Sequence, residues 1–186
     1  MIFLATPSAG QTISFSTNIA QWATLGTMNV EVGYAFSKHF SLHGGVSVNP
    51  FSFRNADEDE RYSDLVSNER KAFQYKRKSV AVGVRYWPWH VFSGWWFRAK
   101  AQLQVYDRGG IFGKERYQGT AIGGGIGFGY AWMVSEHWNI DFGVAGWAGR
   151  TKENVYEHVS SNNVMEERTR FFIVPDEVII SVVYIF

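Results

Sequence analysis

Between Phe73 and Tyr106 the side chains alternate in character every second residue, and a period of two restricts a chain to strands. In Ser79–Tyr86, Val80, Val82, Val84 and Tyr86 share one face, opposite Ser79, Ala81, Gly83 and Arg85. In Trp95–Tyr106 the pattern is sharper. Trp95, Phe97, Ala99, Ala101, Leu103 and Val105 oppose Trp96, Arg98, Lys100, Gln102, Gln104 and Tyr106. A tilted strand crosses a bilayer in roughly 9–11 residues, and this second run is long enough.

The same period recurs along the chain. A weak first strand is read at Ile13–Ala23, a second at Met28–Phe36 and a third at Phe40–Phe53, with the tight turn Ser37-Lys38-His39 between the last two. A long charged loop, 55–72, leads to a fourth strand ending at Tyr86, and an aromatic turn, 87–94, leads to the fifth. A loop at 107–116 precedes the sixth strand, Tyr117–Trp132. A short turn at 134–137 precedes the seventh, Trp138–Gly149, and a third long loop is read at 150–170. In the last strand Val178, Ile180, Val182, Tyr184 and Phe186 alternate with Ile179, Ser181, Val183 and Ile185. Pro175 lacks an N–H, so it marks the start of that strand or a bulge in it. Eight strands with alternating short and long connections predict an all-β fold: an eight-stranded antiparallel up-and-down transmembrane β-barrel.

Composition narrows the class. A chain of 186 residues is one domain, and it has no stretch of the ~20 apolar residues that a membrane helix needs. Its net charge of +1 argues against nucleic-acid binding, and the absence of Cys removes disulfide and thiolate chemistry. Residues 1–10 read as a signal-peptide remnant or a disordered tail, and 11–186 as the barrel.

Alternation does not say which face is outside; three features do. The second face of the sixth strand is only Gly and Ala, which suits a narrow lumen where small residues oppose large ones. Aromatics gather near the short turns: Trp87, Trp89, Trp95, Trp132, Trp138, Tyr184 and Phe186 form the expected periplasmic girdle. A second set, Phe53, Phe73, Tyr75, Tyr106, Phe112 and Tyr117, lies near the long loops. Finally, the apolar faces carry no mid-strand charge, and Arg98 or Lys100 turned to lipid would cost roughly 2–4 kcal/mol each. The charges are therefore placed in the lumen, where Glu31, Arg85, Arg98, Lys100 and Asp141 are expected to pair in the half nearest the short turns.

No motif carries chemistry. The run Gly123–Gly129 lacks both a dinucleotide register and a phosphate-loop Lys, and reads as packing. The five His are scattered, His43 reads as a lumen residue in polar contact, and no Ser/His/acid set is supported by spacing. Asp57-Glu58-Asp59-Glu60 lacks the spaced ligands of a Ca²⁺ loop and reads as a solvated loop. No metal or cofactor is implied. Lys76, Arg77, Lys78, Lys114, Arg116, Arg150 and Lys152, with Arg108, Arg168 and Arg170, lie toward the long loops, where they would meet lipopolysaccharide phosphates.

The residues Ser16–Ile19, Asn29–Gly33, Asn49-Pro50-Phe51, Val84-Arg85-Tyr86-Trp87-Pro88 and Pro175–Phe186 carry a resemblance. In architecture the chain is similar to small outer-membrane barrels of the OmpA/OmpX type. More closely it resembles an uncharacterised family of bacterial outer-membrane barrels known only as a domain of unknown function. That resemblance implies fold and outer-membrane location, and no activity. Terminal Val182, Tyr184 and Phe186 also resemble the strand signal read by barrel-assembly machinery. The expectation is a non-enzymatic barrel with a filled lumen, stabilising the envelope or presenting surface loops, with the lipid bilayer and lipopolysaccharide as partners. The alternatives are a narrow pore and a lipid-modifying enzyme.

Overall fold

The computed structural model describes residues 12–23, 26–53, 73–109, 116–156 and 164–186. Its strands are β1 (Ile13–Asn18), β2 (Met28–Ala35), β3 (Phe40–Asn49), the two-residue β4 (Ser52–Phe53), β5 (Phe73–Tyr86), β6 (Gly94–Gly109), β7 (Arg116–Met133), β8 (Trp138–Tyr156) and β9 (Val164–Ile185). Each strand pairs antiparallel with its neighbours, β3 pairs β5, and β1 pairs β9. Eight strands thus close into a ring, with β4 continuing the β3 side of β5 beyond a break at Pro50-Phe51. The fold is all-β apart from one helical turn, α1 (Ile19–Ala23).

The first strand is therefore shorter than its alternation suggests, and the cause is Asn18. Its Oδ1 accepts from the Ala20 amide at 3.1 Å, capping α1, and from the Ile180 amide at 3.2 Å. Its Nδ2 donates to the Val178 carbonyl at 3.0 Å. One carboxamide starts the helix and also takes the place of a strand residue beside β9. Gly26, at φ 71°, closes the turn with its N–H on the Trp22 carbonyl at 3.1 Å.

The wall is uneven. β1, β2 and β3 are 6, 8 and 10 residues long, whereas β6 to β9 run from 16 to 22. Much of the expected loop 150–170 is strand: β8 and β9 pair from Trp138↔Tyr184 up to Tyr156↔Val164. Polar residues there hide the strand because its inward face, buried at Thr151 and Glu153, is as polar as its outward one. Lys152 Nζ on Glu167 Oε1 at 2.6 Å and an Arg168–Glu166 pair decorate it. The Arg168 hydrogen bond holds the Glu166 carboxyl below its usual range. Likewise β6 reaches Gly109, into the loop expected at 107–116.

Faces follow the alternation. Outward side chains are apolar: Val80, Val82 and Val84 on β5, Ile122, Ile126 and Phe128 on β7, Phe142 and Val144 on β8, and Val178 and Ile180 on β9. Inward side chains are largely polar or small: Ser41, His43, Ser47, Arg85, Arg98, Gln102, Asp141 and Ser181 are buried. The inward glycines of β7 and β8 make room for Trp96. A Cβ on Gly143 would sit 2.8 Å from the indole ring, so the Gly face is a notch for one large side chain.

A register shift between Ala145 and Gly146 marks a bulge in β9 at Pro175-Asp176. Below it the odd residues 177–185 face inward; above it Phe172, an even residue, turns in to pack on Trp147 at 4.5 Å between ring centroids.

Candidate functional site

The short-turn end of the ring is corked by its own polypeptide. The turn after β5 folds inward, burying Trp87, Val91 and Phe92 against Trp96, Ala131, Ala145, Ile179, Val183 and Ile185. Backbone bonds hold it: Trp87 N–H to His39 O at 2.9 Å and Val91 N–H to Lys38 O at 2.8 Å. His39 Nδ1 donates to Trp87 O at 3.0 Å, and Asn139 Nδ2 to Phe92 O at 2.6 Å. Phe92 has φ 62°, a left-handed backbone that is costly for a bulky residue and persists because its surroundings fix it.

Trp87 is therefore a correction to the girdle, being 1% exposed rather than facing outward. Trp87 continues the inward face of β5, two residues after the buried Arg85 and next to the outward Tyr86, so strand parity sets its indole inside. The other six lie on the outside or partly so, and four of them make edge-on ring contacts. Tyr184 contacts Trp138 at 4.9 Å and Phe186 at 4.7 Å, Phe186 contacts Phe15 at 5.6 Å, and Trp95 contacts Tyr130 at 5.4 Å. Trp89 and Trp132 are among the most exposed aromatics. The second girdle is also corrected. Tyr106 is buried with Thr151 and Glu153, and Tyr117 packs beside it, because both sit on inward faces of their strands. Phe112 and the side chains of Phe53 and Phe73 lie outside the described residues.

Above the cork the structure brings the five lumen charges together. Arg85 donates from Nη1 to Asp141 Oδ2 at 2.7 Å and from Nη2 to Glu31 Oε1 at 2.5 Å. Arg98 Nη1 reaches Glu31 Oε2 at 3.4 Å, and its Nη2 pairs with Glu177. Lys100 Nζ pairs with Glu177 at 3.0 Å and with Asp176. Arg85 also lies 4.6 Å over the Trp96 ring. Asp176 and Glu177 were not anticipated, since neighbouring residues of a regular strand face opposite ways. The bulge turns both inward onto one ammonium group, and Pro175 was the visible signal for it.

His43 joins this layer through a chain of hydrogen bonds. Its Nδ1 donates to Glu31 Oε1 at 3.0 Å, Ser41 Oγ donates to its Nε2 at 2.8 Å, and Trp87 Nε1 donates to Ser41 Oγ at 2.8 Å. The atom order is that of a Ser–His–carboxylate relay, which spacing did not reveal because two strands supply it. Ser41 is wholly buried and its oxygen is occupied by Trp87, so it offers no nucleophile to a substrate. Among the described residues no cluster of three or more potential metal ligands is present.

The basic residues assigned to the long-loop side divide. Lys76, Lys78, Arg150 and Lys152 face outward, the last two on β8 rather than in a loop. Arg77 is a correction: it points inward and lines the central cavity, since three consecutive strand residues cannot share a face. Arg108 lies over Tyr106 and Tyr117, at 5.2 and 5.8 Å. Lys114, the side chain of Arg116 and the acidic run 57–60 lie outside the described residues.

A family model described as protein of unknown function (DUF3575) matches residues 1–186. The chain belongs to that family. Membership agrees with the uncharacterised family that the sequence resembles, and the family's description assigns no activity. No curated protein matches the chain.

Proposed function

We propose that this protein is a non-enzymatic outer-membrane barrel with a closed interior, which braces the envelope and holds its β8–β9 hairpin clear of the surface. One observation carries the reading: the ring is apolar outside and charged inside, with exposures of 76% at Ile126 and 63% at Ile122 against 4% at Arg85. A contiguous apolar belt of this kind is far larger than a soluble monomer exposes, and lipid is the solvent that accommodates it. The aromatic stacks near the short turns fit a headgroup boundary, which on this reading is periplasmic. Lys76, Lys78, Arg150 and Lys152 border the belt at the other margin, where phosphates of lipopolysaccharide would meet them. The C-terminal Val182, Tyr184 and Phe186 would be read by the assembly machinery.

The pore alternative is disfavoured by the cork and the ion pairs that fill the ring, and the enzyme alternative by the sealing of Ser41. Gel mobility tests the main claim. Refolded protein left unboiled is expected to migrate differently from a boiled sample, as a barrel that survives detergent does. Identical migration would sink the proposal. Planar bilayers containing the refolded protein are expected to stay electrically silent.

A further inference from the structure

Four cations, Arg77, Arg85, Arg98 and Lys100, line the central cavity together with two carboxylates, Glu31 and Glu177. Arg85, Arg98 and Lys100 are each paired with a carboxylate. Arg77 has no carboxylate partner among the described residues, and its buried Nε–H makes no hydrogen bond there. Gln21, on α1, lines the same cavity with its own defect. Its Nε2 donates to Glu177 at 2.5 Å, which fixes the amide, and leaves a buried Oε1 that accepts nothing among the described residues. Unsatisfied buried polar atoms facing one space indicate a missing polar occupant.

The space measures about 60 Å³, taken as the volume open to the centre of a water-sized sphere. One water needs roughly 10–15 Å³ on that measure, so a group of several oxygens fits. Asn29, Ser47, Ser79 and Gln102 complete its walls. Ser47 Oγ and Ser79 Oγ are 2.7 Å apart, and because one proton joins them the other is free to donate.

We propose that this cavity binds a phosphate group. Arg77 supplies the guanidinium fork for anionic oxygens, a serine hydroxyl donates to a third, and Gln21 Oε1 accepts from the P–OH of a hydrogen phosphate or phosphomonoester. A carboxylate fills the first role and lacks a proton for the last. The group has two sources. Free phosphate enters from the long-loop end, where β1 to β3 are short. A phosphomonoester lipid head, as in phosphatidic acid, enters beside α1, where β1 stops at Asn18 while β9 continues, and where Ile19, Trp22 and Val174 present apolar surface for its tails.

Isothermal titration of the full refolded chain in a phosphate-free glycoside detergent tests this, with inorganic phosphate in one arm and short-chain phosphatidic acid in the other. Saturable binding is expected in at least one arm. Binding of inorganic phosphate identifies the free group as sufficient, and binding of phosphatidic acid alone identifies the lipid route. Arg77→Gln is expected to weaken binding at least tenfold, Arg77→Lys to recover part of it, and Lys38→Gln, in the far turn, to change nothing. Absence of saturation in both arms overturns the proposal, as does unchanged affinity in an Arg77→Gln protein that keeps heat-modifiable mobility. Should that variant lose its mobility shift, the double variant Ser47→Ala/Ser79→Ala serves instead: severalfold weaker binding supports the site and unchanged affinity overturns it. Either failure leaves the wild-type mobility shift intact, so the barrel reading is judged separately.

Discussion

Arg85 divides one guanidinium between Asp141 and Glu31 while resting on the Trp96 ring, and all of this happens out of water. Burying a charge is costly, and the cost is offset only while its partners stay in place. Arg85→Leu is therefore expected to lower unfolding stability by about 3–5 kcal/mol, because it strands Asp141 and leaves Glu31 only Arg98 and His43. Adding Asp141→Leu removes the stranded charge and should recover part of the loss. Urea midpoints of the refolded barrel measure both; a double variant less stable than the single one would contradict the argument. Asn18 is the second residue whose effect exceeds its size. Asn18→Ala removes the α1 cap and two bonds to β9, for an expected loss of about 1–2 kcal/mol by the same assay.

At the scale of elements, β9 owes its function in the ring to one extra residue. Because the bulge at Pro175-Asp176 reverses parity, Glu177, Asp176 and Phe172 all reach the interior of a single strand run. Because Ala145 pairs with Glu177 and Gly146 with Pro175, deleting Asp176 is expected to leave both registers and both faces intact, with Phe172 still inside, and to lower stability only through loss of the pair with Lys100. Urea midpoints of the refolded barrel measure that loss. β7 and β8 show the opposite device, an absence of side chains. Gly143→Ala puts a methyl group 2.7 Å from the Phe128 carbonyl oxygen and 2.8 Å from the Trp96 ring and is expected to cost about 1–3 kcal/mol by urea midpoint, of which Trp96→Phe relieves only the ring's share.

For the whole molecule, closure of the ring matters less to function than what fills it. The cork and the Trp96 notch occupy the lower interior, and the ion pairs above them border a polar cavity. An eight-stranded ring has an interior just wide enough for side chains, so removing large ones should open it. The double variant Trp87→Ala/Phe92→Ala is expected to give measurable single-channel conductance where wild type gives none. A silent double variant would assign the block to the ion-pair layer instead.

The all-β class, the existence of eight strands and the inward placement of Glu31, Arg85, Arg98, Lys100 and Asp141 are legible in the sequence, because a period of two is a local property of neighbouring residues. What escaped it depends on chain pairs far apart. Asn18 ends β1 by bonding to β9, some 160 positions away, and the turn after Trp87 folds into the ring because Lys38 and Asn139 receive it. The carboxylates of Asp176 and Glu177 share Lys100 only because β8 forces a bulge opposite Ala145 and Gly146. Arg77, read by proximity to the rim, is set inside by the parity of β5. Alternation assigns each residue a face; only the closed ring decides which side chains meet across it, since register and bulges are settled by partners and not by neighbours.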